Sequence, residues 1–342
     1  VGVTTLIELR LETAKNYVET TYIPVTDMKN AIATLNKATA DKTLDYVDGI
    51  MFSKTQGAIV TGRMTDTPSP NLPTQTFSSA WDPWFYQHVQ SLISNPTRQD
   101  VKEAVPLPEY LFRYDRGGFW VGAMAYQYFN FPCNKLTRWF LDDFTHTRMM
   151  YTALHASGES KRCIIQDLAL PYSTAEEFVD YTSAELDIFP LWLCPLKRPK
   201  QPTMHPYTRQ DDTDLMLNIG VWGWGPNNCE QFVQANRKLE AKLRQLGGMK
   251  WLYAQTYYSS DEFWSLFDRK WYDGLRAKYG ATNLASVYDK VKAPTETDKD
   301  KVRQRFLEKW PWAGFYGIWK AIQSKTYIQA RRAAWRQWVR SS

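Results

Sequence analysis

Tyr253 and Tyr257 are the first residues whose type and spacing could do chemistry. They sit at the end of a segment, Lys250–Thr256, whose alternation predicts a strand, and a separation of four residues puts both rings on one face of a pleat. Paired phenols can give up a proton or orient the group that does. Two amphipathic tyrosines packing their rings and leaving the hydroxyls in water fit the same spacing. Arg113 and Arg116, on either side of Tyr114 and Asp115, offer planar forks of donors to oxygen acceptors. Structural ion pairs with nearby acids would use the same forks. His88 is a lone histidine on a predicted helix, a place suited to packing or capping as much as to binding. His146, His155 and His205 receive no role.

Other chemistries find no footing. Cys133, Cys163, Cys194 and Cys229 form no CxxC pair and have no histidine at metal-ligand spacing, so neither a zinc site nor a disulfide framework is expected. Gly220, Gly223 and Gly225 lack the G-x-G-x-x-G spacing and run into Pro226, which reads as strand end and turn with no phosphate bound.

The elements that must position these residues form two similar blocks. The first reads as strand Tyr17–Val25, helix Thr26–Thr39, strand Leu44–Ser53 and strand Gly57–Met64. The second reads as strand Ile164–Leu170, helix Ser173–Leu186, strand Phe189–Cys194, strand Asp214–Trp222, helix Asn227–Leu246 and strand Lys250–Thr256, the β-α-β-β-α-β order of ferredoxin-like units. Ser173 and Glu176 have capping-box spacing, Glu262 suits a helix start, and Gly247-Gly248 supplies a stop. Between the blocks, a Pro/Ser/Thr-rich loop at 67–73 leads into an aromatic-dense region expected to lay helices and long loops over one face of the sheet. The expectation is an α+β fold: one large antiparallel sheet with helices on one face and a helical C-terminal tail. Thr5–Leu11 alternates as a single strand whose partners would lie upstream.

The formal net charge of +6 belongs to the tail, because residues 295–342 hold eleven Lys/Arg against four Asp/Glu. There Trp310, Trp312, Phe315, Trp319, Trp335 and Trp338 alternate with Lys309, Lys320, Lys325, Arg331, Arg332, Arg336 and Arg340. This is the composition of an interfacial anchor on an anionic membrane surface, of a nucleic-acid contact, or of a solvated helix packed on the body. No recognition module accompanies it, so no nucleic acid is expected.

A set of short motifs occurs in one order along the body. Glu8-x-Arg10 is followed by Thr61-Gly62-Arg63-Met64-Thr65-Asp66, Pro83-Trp84-Phe85 with His88-Val89, and Arg113-Tyr114-Asp115-Arg116 before Phe119-Trp120. Then come Gln166-Asp167-Leu168, Pro190-Leu191-Trp192-Leu193-Cys194-Pro195, Asn218-Ile219-Gly220, Tyr253-Ala254 with Tyr257, Glu262-Phe263-Trp264 and Val287-Tyr288-Asp289-Lys290. In these motifs the chain resembles the delta-24-sterol reductase family of vanillyl-alcohol-oxidase-type flavoproteins, along its C-terminal cap.

The resemblance implies three segments: residues 1–15 as the last strand of an FAD-binding domain absent from this chain, 16–292 as the substrate or cap domain, and 293–342 as a basic extension. It implies FAD with NADPH as reductant, a sterol or other apolar substrate, and an endoplasmic reticulum membrane facing the cytosol. It also implies reduction of an isolated C24=C25 bond, which needs a proton as well as a hydride. Tyr257 and Tyr253 are then candidates for the proton source. Arg113, Tyr114, Arg116, His88, Trp192 and Lys290 are candidates for substrate or cofactor binding, with Lys290 beside a reduced flavin. Another apolar alcohol or alkene as substrate, or a binding protein that has kept only the cap, are the alternatives.

Overall fold

The computed structural model describes residues 6–94, 99–197, 204, 215–293, 310–333 and 335. His205, Asp214, Lys309, Arg336, Trp338 and Arg340 lie outside the described residues. The first block comprises β1 (Tyr17–Val25), α1 (Met28–Ala40), β2 (Tyr46–Ser53), β3 (Gln56–Thr65), α2 (Phe85–Ile93) and β4 (Val101–Pro106). Helices α3 (Leu107–Leu111), α4 (Val121–Tyr128), α5 (Lys135–Phe140) and α6 (Thr147–Ser157) lead to the second block. That block holds β5 (Cys163–Pro171), α7 (Tyr172–Glu185), β6 (Leu191–Leu196), β7 (Met216–Trp224), α8 (Cys229–Gln245) and β8 (Met249–Lys250). Helices α9 (Ser260–Leu266), α10 (Arg269–Lys278) and α11 (Val287–Val291) follow, with two more at Trp312–Gln323 and Thr326–Arg331.

The eight strands form one antiparallel sheet in the order β4-β1-β3-β2-β6-β7-β5-β8, the expected α+β fold. Each half has the same internal order, and the halves join where Gly49, Ile50 and Met51 of β2 pair with Leu193, Trp192 and Leu191 of β6. Both halves are therefore β-α-β-β-α-β units. The first was legible only as β-α-β-β, because β4 is short and carries two charges and a proline. Such a sequence suits an edge strand, where a missing N–H costs no ladder bond.

One face of the sheet is covered by α1, α7 and α8. In α1, Met28, Ala31, Leu35 and Ala38 recur at helical spacing and are buried, while Asp27 caps the start by accepting from Asn30 N–H. Helix α8 buries Phe232, Leu239 and Leu243 on the same core, against Ile219 and Val221 of β7. It stops at Gly247, whose φ of 74° lets the chain turn without a Cβ penalty. The capping box expected at Ser173 and Glu176 is not formed; α7 follows Pro171 with no side-chain cap, and Thr174 donates to the Leu246 carbonyl instead.

The second face alternates with the first. Over β1, β3 and β2 it is packed by α2 and by Phe77, Trp84, Tyr110 and Trp120 of the segment between the blocks. Over β6, β7 and β5 it presents Trp192, Cys194, Asn218, Gly220, Trp222 and Asp167, the cross-strand neighbours that build the site below. Two sequence expectations fail at the margins. Residues 6–15 form no strand and leave Leu6, Ile7, Leu9 and Leu11 exposed, since no described strand pairs with them. The ladder expected over Lys250–Thr256 ends after Lys250.

Buried polar groups, rather than periodic apolar ones, knit the segment between the blocks. Arg116, only 2% exposed, donates through Nε to Asp142 Oδ1 at 2.7 Å and through its other nitrogens to the carbonyls of Phe77, Ala80 and Asp82. His146 Nδ1 shares a hydrogen bond with Asp115 Oδ2 at 2.6 Å, and Nε2 lies 3.8 Å from Asp142 Oδ2. Burial alone would lower the His146 pKa, but the bonds to Asp115 and Asp142 outweigh it and the net shift is upward. A histidine raised in the folded state stabilises fully below the ordinary imidazole value of about 6.5, and that stabilisation is lost as pH rises through the folded value. The unfolding midpoint therefore falls as pH is raised above the ordinary imidazole range. In His146→Gln that part of the pH dependence is absent, as thermal unfolding in a pH series will read.

Candidate functional site

The centre of the second face is a polar network in an aromatic surround. Asp167, on β5, leans across β7 toward Gly220: a Cβ at position 220 would stand 2.8 Å from Asp167 Oδ1 and 3.2 Å from the Trp192 Cβ. Glycine is thus required there for the carboxyl to lie over the strand. Asn218 Nδ2 donates to Asp167 Oδ1 at 3.2 Å, and Trp251 Nε1 donates to Asn218 Oδ1 at 2.7 Å, which fixes the amide's orientation. The Tyr253 hydroxyl donates to Asp167 Oδ2 at 2.6 Å. The Trp222 indole N–H is buried beside this carboxyl, where it favours the charged form.

Burial raises the Asp167 pKa, and bonds from Tyr253 and Asn218 only partly counter it. The Tyr253 phenol is also raised, by burial of its hydroxyl and by the Asp167 charge, although its ring is exposed. Both groups therefore hold their protons more tightly than free side chains do. The site thus joins a carboxyl whose proton affinity burial raises to a phenol whose ring faces outward.

A second carboxylate lies nearby on the same face. Asp48 Oδ2 accepts from Arg113 Nη2 at 2.9 Å, Tyr114 Oη at 3.2 Å and Trp192 Nε1 at 3.2 Å, while Oδ1 has no partner. The Arg113 guanidinium carbon stands 4.1 Å from the centre of the Tyr110 ring and 4.8 Å from that of Tyr114. Cys194 is paired with Asn218 across the ladder, and burial, then the charges of Asp48 and Asp167, push its thiol well up, so it is held as an unreactive thiol.

The aromatic surround depends on a tight turn. Gly117, Gly118 and Phe119 all have positive φ, and for Phe119, at 58°, this is a conformation that only surrounding contacts can hold. The turn lays Phe119 on Tyr114, ring centres 4.1 Å apart, and edge-on to Trp222 at 4.6 Å. Trp120 Nε1 then donates to the Trp222 carbonyl at 2.9 Å, anchoring α4 to the sheet.

The structure thus brings together Tyr253, Arg113, Tyr114 and Trp192 from the expected set, and separates the others. Tyr257 packs against Phe232 of α8 on the first face, ring centres 6.3 Å apart, with burial lifting its pKa to about 12. The two tyrosines do not share a face, because the chain leaves the ladder between them. Arg116 commits four of its five N–H donors to Asp142 and three carbonyls and is only 2% exposed, so it is built into the fold rather than presented to a ligand. His88 Nε2 meets both oxygens of buried Glu103, at 3.1 and 2.9 Å, and so ties α2 to β4. Lys290 is exposed on α11, remote in contact from the network. Sequence reasoning missed Asp48, Asp167, Asn218, Trp222 and Trp251. The signal was present: Asp48 and Asp167 are lone acids inside otherwise apolar strands, and a buried carboxyl must be bonded or neutral.

Among the described residues, no group of three or more His, Cys, Asp or Glu could hold a metal ion, and no helix is long and apolar enough to cross a membrane. No family model matches the chain. Curated relatives do. The chain is 27% identical over 292 residues to the human protein named Delta(24)-sterol reductase, covering 83% of this chain and 55% of that protein. It is 27% identical over 345 residues to the Arabidopsis thaliana protein of the same name, covering 90% and 60%, and 25% identical over 340 residues to that of Pisum sativum, covering 87% and 58%. The chain spans a little over half the length of the curated relatives it matches. Over most of its length the chain is thus similar to proteins of animals and plants that carry the name Delta(24)-sterol reductase.

Proposed function

We propose that this chain forms the substrate side of a flavin-dependent reductase that adds hydrogen across an isolated C=C bond in a sterol side chain, with Asp167 and Tyr253 as its proton source. The observation that carries the reading is the Tyr253–Asp167–Asn218 network, a carboxyl whose proton affinity burial raises and which is joined to a phenol at the edge of an aromatic surface. The relatives' printed name, Delta(24)-sterol reductase, supports the same reaction class. Flat aromatic surface supports a flavin on this face, since Trp192 and Phe119 lie together beside the Asp167 carboxyl with ring centres 5.0 Å apart. Trp222, Trp192 and Tyr253 would hold it on this face. When bound, FAD supplies the hydride it has taken from NADPH.

The chain's own part is the proton. An unactivated alkene has no oxygen to polarise, so the acid must be held ready in a site that excludes water. With Asp167 protonated the hydrogen bond between the two reverses: Tyr253 gives its hydroxyl proton to the alkene carbon that does not receive the hydride, while Asp167 passes its carboxyl proton to the phenol oxygen. The negative charge ends on Asp167, where Asn218 Nδ2 and the Trp222 N–H can receive it. Arg113, Tyr114 and Trp192 position the wall through Asp48 rather than by touching phosphate.

The test is made on the protein joined to the flavin domain of its family: record visible absorbance, add NADPH without oxygen, then add a sterol with a C24=C25 bond. Bleaching by NADPH and recovery on adding the sterol supports the reading; a flavin that bleaches but does not recover with any such sterol overturns it. The C-terminal helices carry a linked expectation. Trp310, Trp312, Phe315, Trp319 and Ile322 are exposed, and the Lys320 ammonium lies 4.7 Å from the centre of the Trp319 ring. This is the amphipathic surface of an interfacial anchor and favours membrane-surface docking. Replacing Trp312 and Trp319 with serine weakens co-sedimentation with vesicles containing phosphatidylserine; unchanged sedimentation removes the anchor.

A further inference from the structure

The strained turn that sets the aromatic surround is gripped by a buried histidine. The turn lies against the start of α6 through paired backbone bonds: Gly117 N–H donates to the Thr145 carbonyl at 2.8 Å and Thr147 N–H to the Asp115 carbonyl at 2.8 Å. Arg116 and His146 face each other across this antiparallel bridge. The approach is at backbone distance, since a Cβ on Gly118 would collide with Met150 of α6 and one on Gly117 would stand 2.7 Å from the Trp84 ring. Phe119, with its positive φ of 58°, is therefore held from outside, by whatever keeps residues 115–118 on residues 145–147.

That grip is ionic. Among the described residues, the charged groups that meet His146 are Asp115 on the turn, 2.6 Å from Nδ1, and Asp142 on the short 3-10 turn Asp142–Phe144, 3.8 Å from Nε2. Arg116 holds the other oxygen of Asp142 at 2.7 Å. Charges on the neighbouring elements are engaged elsewhere: Asp82 accepts from Thr76 and Ser79, Asp143 accepts from Arg331 Nε at 2.8 Å, and Arg148 of α6 donates to Gln329 at 2.6 Å. Asp115 and Asp142 balance Arg116 and His146 only while the imidazole carries its second proton. Without it, one ring nitrogen still donates, but the other turns a lone pair toward a carboxylate, and His146 is too deeply buried for water to soften that contact.

We propose that the His146 cation is a positioning group for the site: it latches the Gly117–Phe119 turn to the start of α6 and so sets the Phe119 ring against Trp192 and Trp222. Loss of the proton slackens the latch, and the aromatic wall beside Asp167 loosens with it. Phe119 is the lever, its ring centre 5.0 Å from that of Trp192 and 4.6 Å from that of Trp222. Trp120, next in the chain, carries the same movement to the Trp222 carbonyl. Burial pulls the imidazole pKa down, and the bonds to Asp115 and Asp142 carry it back above the ordinary value. Burial also raises the Asp167 pKa. The wall is thus shut on the side of the pH scale where that carboxyl carries its proton. The consequence for catalysis rests on the reductase reading; the latch does not.

The test uses the full chain with fluorotryptophan in place of tryptophan. It needs neither flavin nor sterol, so its failure and that of the reductase reading are distinguishable. The fluorine resonances of Trp192 and Trp222, identified by Trp192→Phe and Trp222→Phe, are followed by NMR through a pH series together with the imidazole resonance of His146. Both are expected to shift with the His146 titration, while that of Trp264, which packs in a separate cluster with Phe263 and Tyr272, stays in place. In His146→Gln both are flat over that range and sit where the deprotonated protein puts them. Asp115→Asn is the milder variant, because that carboxylate is partly exposed, and it reads the latch even where His146→Gln does not fold. It lowers the common midpoint of the imidazole and the two fluorines, which a histidine with a merely structural role would not do. Fluorine resonances that stay flat while His146 titrates, that titrate unchanged in His146→Gln, or whose midpoint Asp115→Asn leaves in place overturn the proposal.

Discussion

Asp167→Asn lowers the rate at which the reduced flavoprotein hands hydrogen to its alkene by about 100- to 10,000-fold, the range over which a positioned acid acts. Bleaching of the flavin by NADPH is retained, because no proton from this network is used there. The asparagine keeps the shape of the carboxyl and can still accept from Tyr253, so the aromatic surround survives. What it lacks is the proton that must follow the one Tyr253 gives away. Tyr253→Phe removes the phenol that hands the proton on instead of the carboxyl that supplies it and lowers the same step, while a residue that merely shaped the pocket would raise KM. The pH profile separates the roles further. Burial raises the Asp167 pKa, so delivery is fastest with the carboxyl protonated and slows as pH rises through that value. In Asp167→Asn that limb of the profile is gone. An Asp167→Asn enzyme with ordinary turnover would remove this residue from the reaction and leave Tyr253 to solvent.

The elements were legible where local chemistry and burial agree. Strand Tyr17–Val25 is found where its alternation predicts it, and α8 is found within two residues at its start because Phe232, Leu239 and Leu243 recur at helical spacing and Gly247 stops the turn. What was not legible depends on contacts between distant residues. The segment from Phe112 to Thr147 lacks period because its order comes from Arg116, His146, Asp115 and Asp142, whose partners are known only once the loops are folded together. The site shows the same limit. Tyr253 was found from its spacing, but the spacing that suggested it paired it with Tyr257, which faces the opposite core. Asp167 was visible in a motif and passed over, although an acid in a strand reading Cys-Ile-Ile-Gln-Asp-Leu-Ala-Leu is the feature most in need of a reason.

The early end of β8 has a physical cause with a large measurable effect. Glu240 of α8, only 2% exposed, accepts from Lys250 Nζ at 2.8 Å, from Thr256 Oγ1 at 3.0 Å and from Tyr257 N–H at 3.0 Å. The Lys250 ammonium also donates to the Gln255 carbonyl. Trp251 N–H still bonds to the Asp167 carbonyl of β5, but Thr256 N–H turns to the Val291 carbonyl and Tyr257 N–H to the Glu240 carboxylate, so the chain leaves β5 and delivers Tyr253 to Asp167. Burial pulls the Lys250 pKa down, and Glu240 opposes that pull, so each charge is tolerated only because of the other. Lys250→Met leaves Glu240 as a buried, uncompensated charge and lowers stability by about 3–5 kcal/mol. Pairing it with Glu240→Gln removes the stranded charge while keeping an oxygen for Tyr257 N–H, so the double variant unfolds at higher denaturant than Lys250→Met alone. This non-additivity, read from urea unfolding of the four proteins in a double-mutant cycle, is the signature of a coupled pair. Additive losses would mean that the turn after β8 is held by its backbone alone. In that case the approach of Tyr253 to Asp167 would owe nothing to the ion pair beneath it.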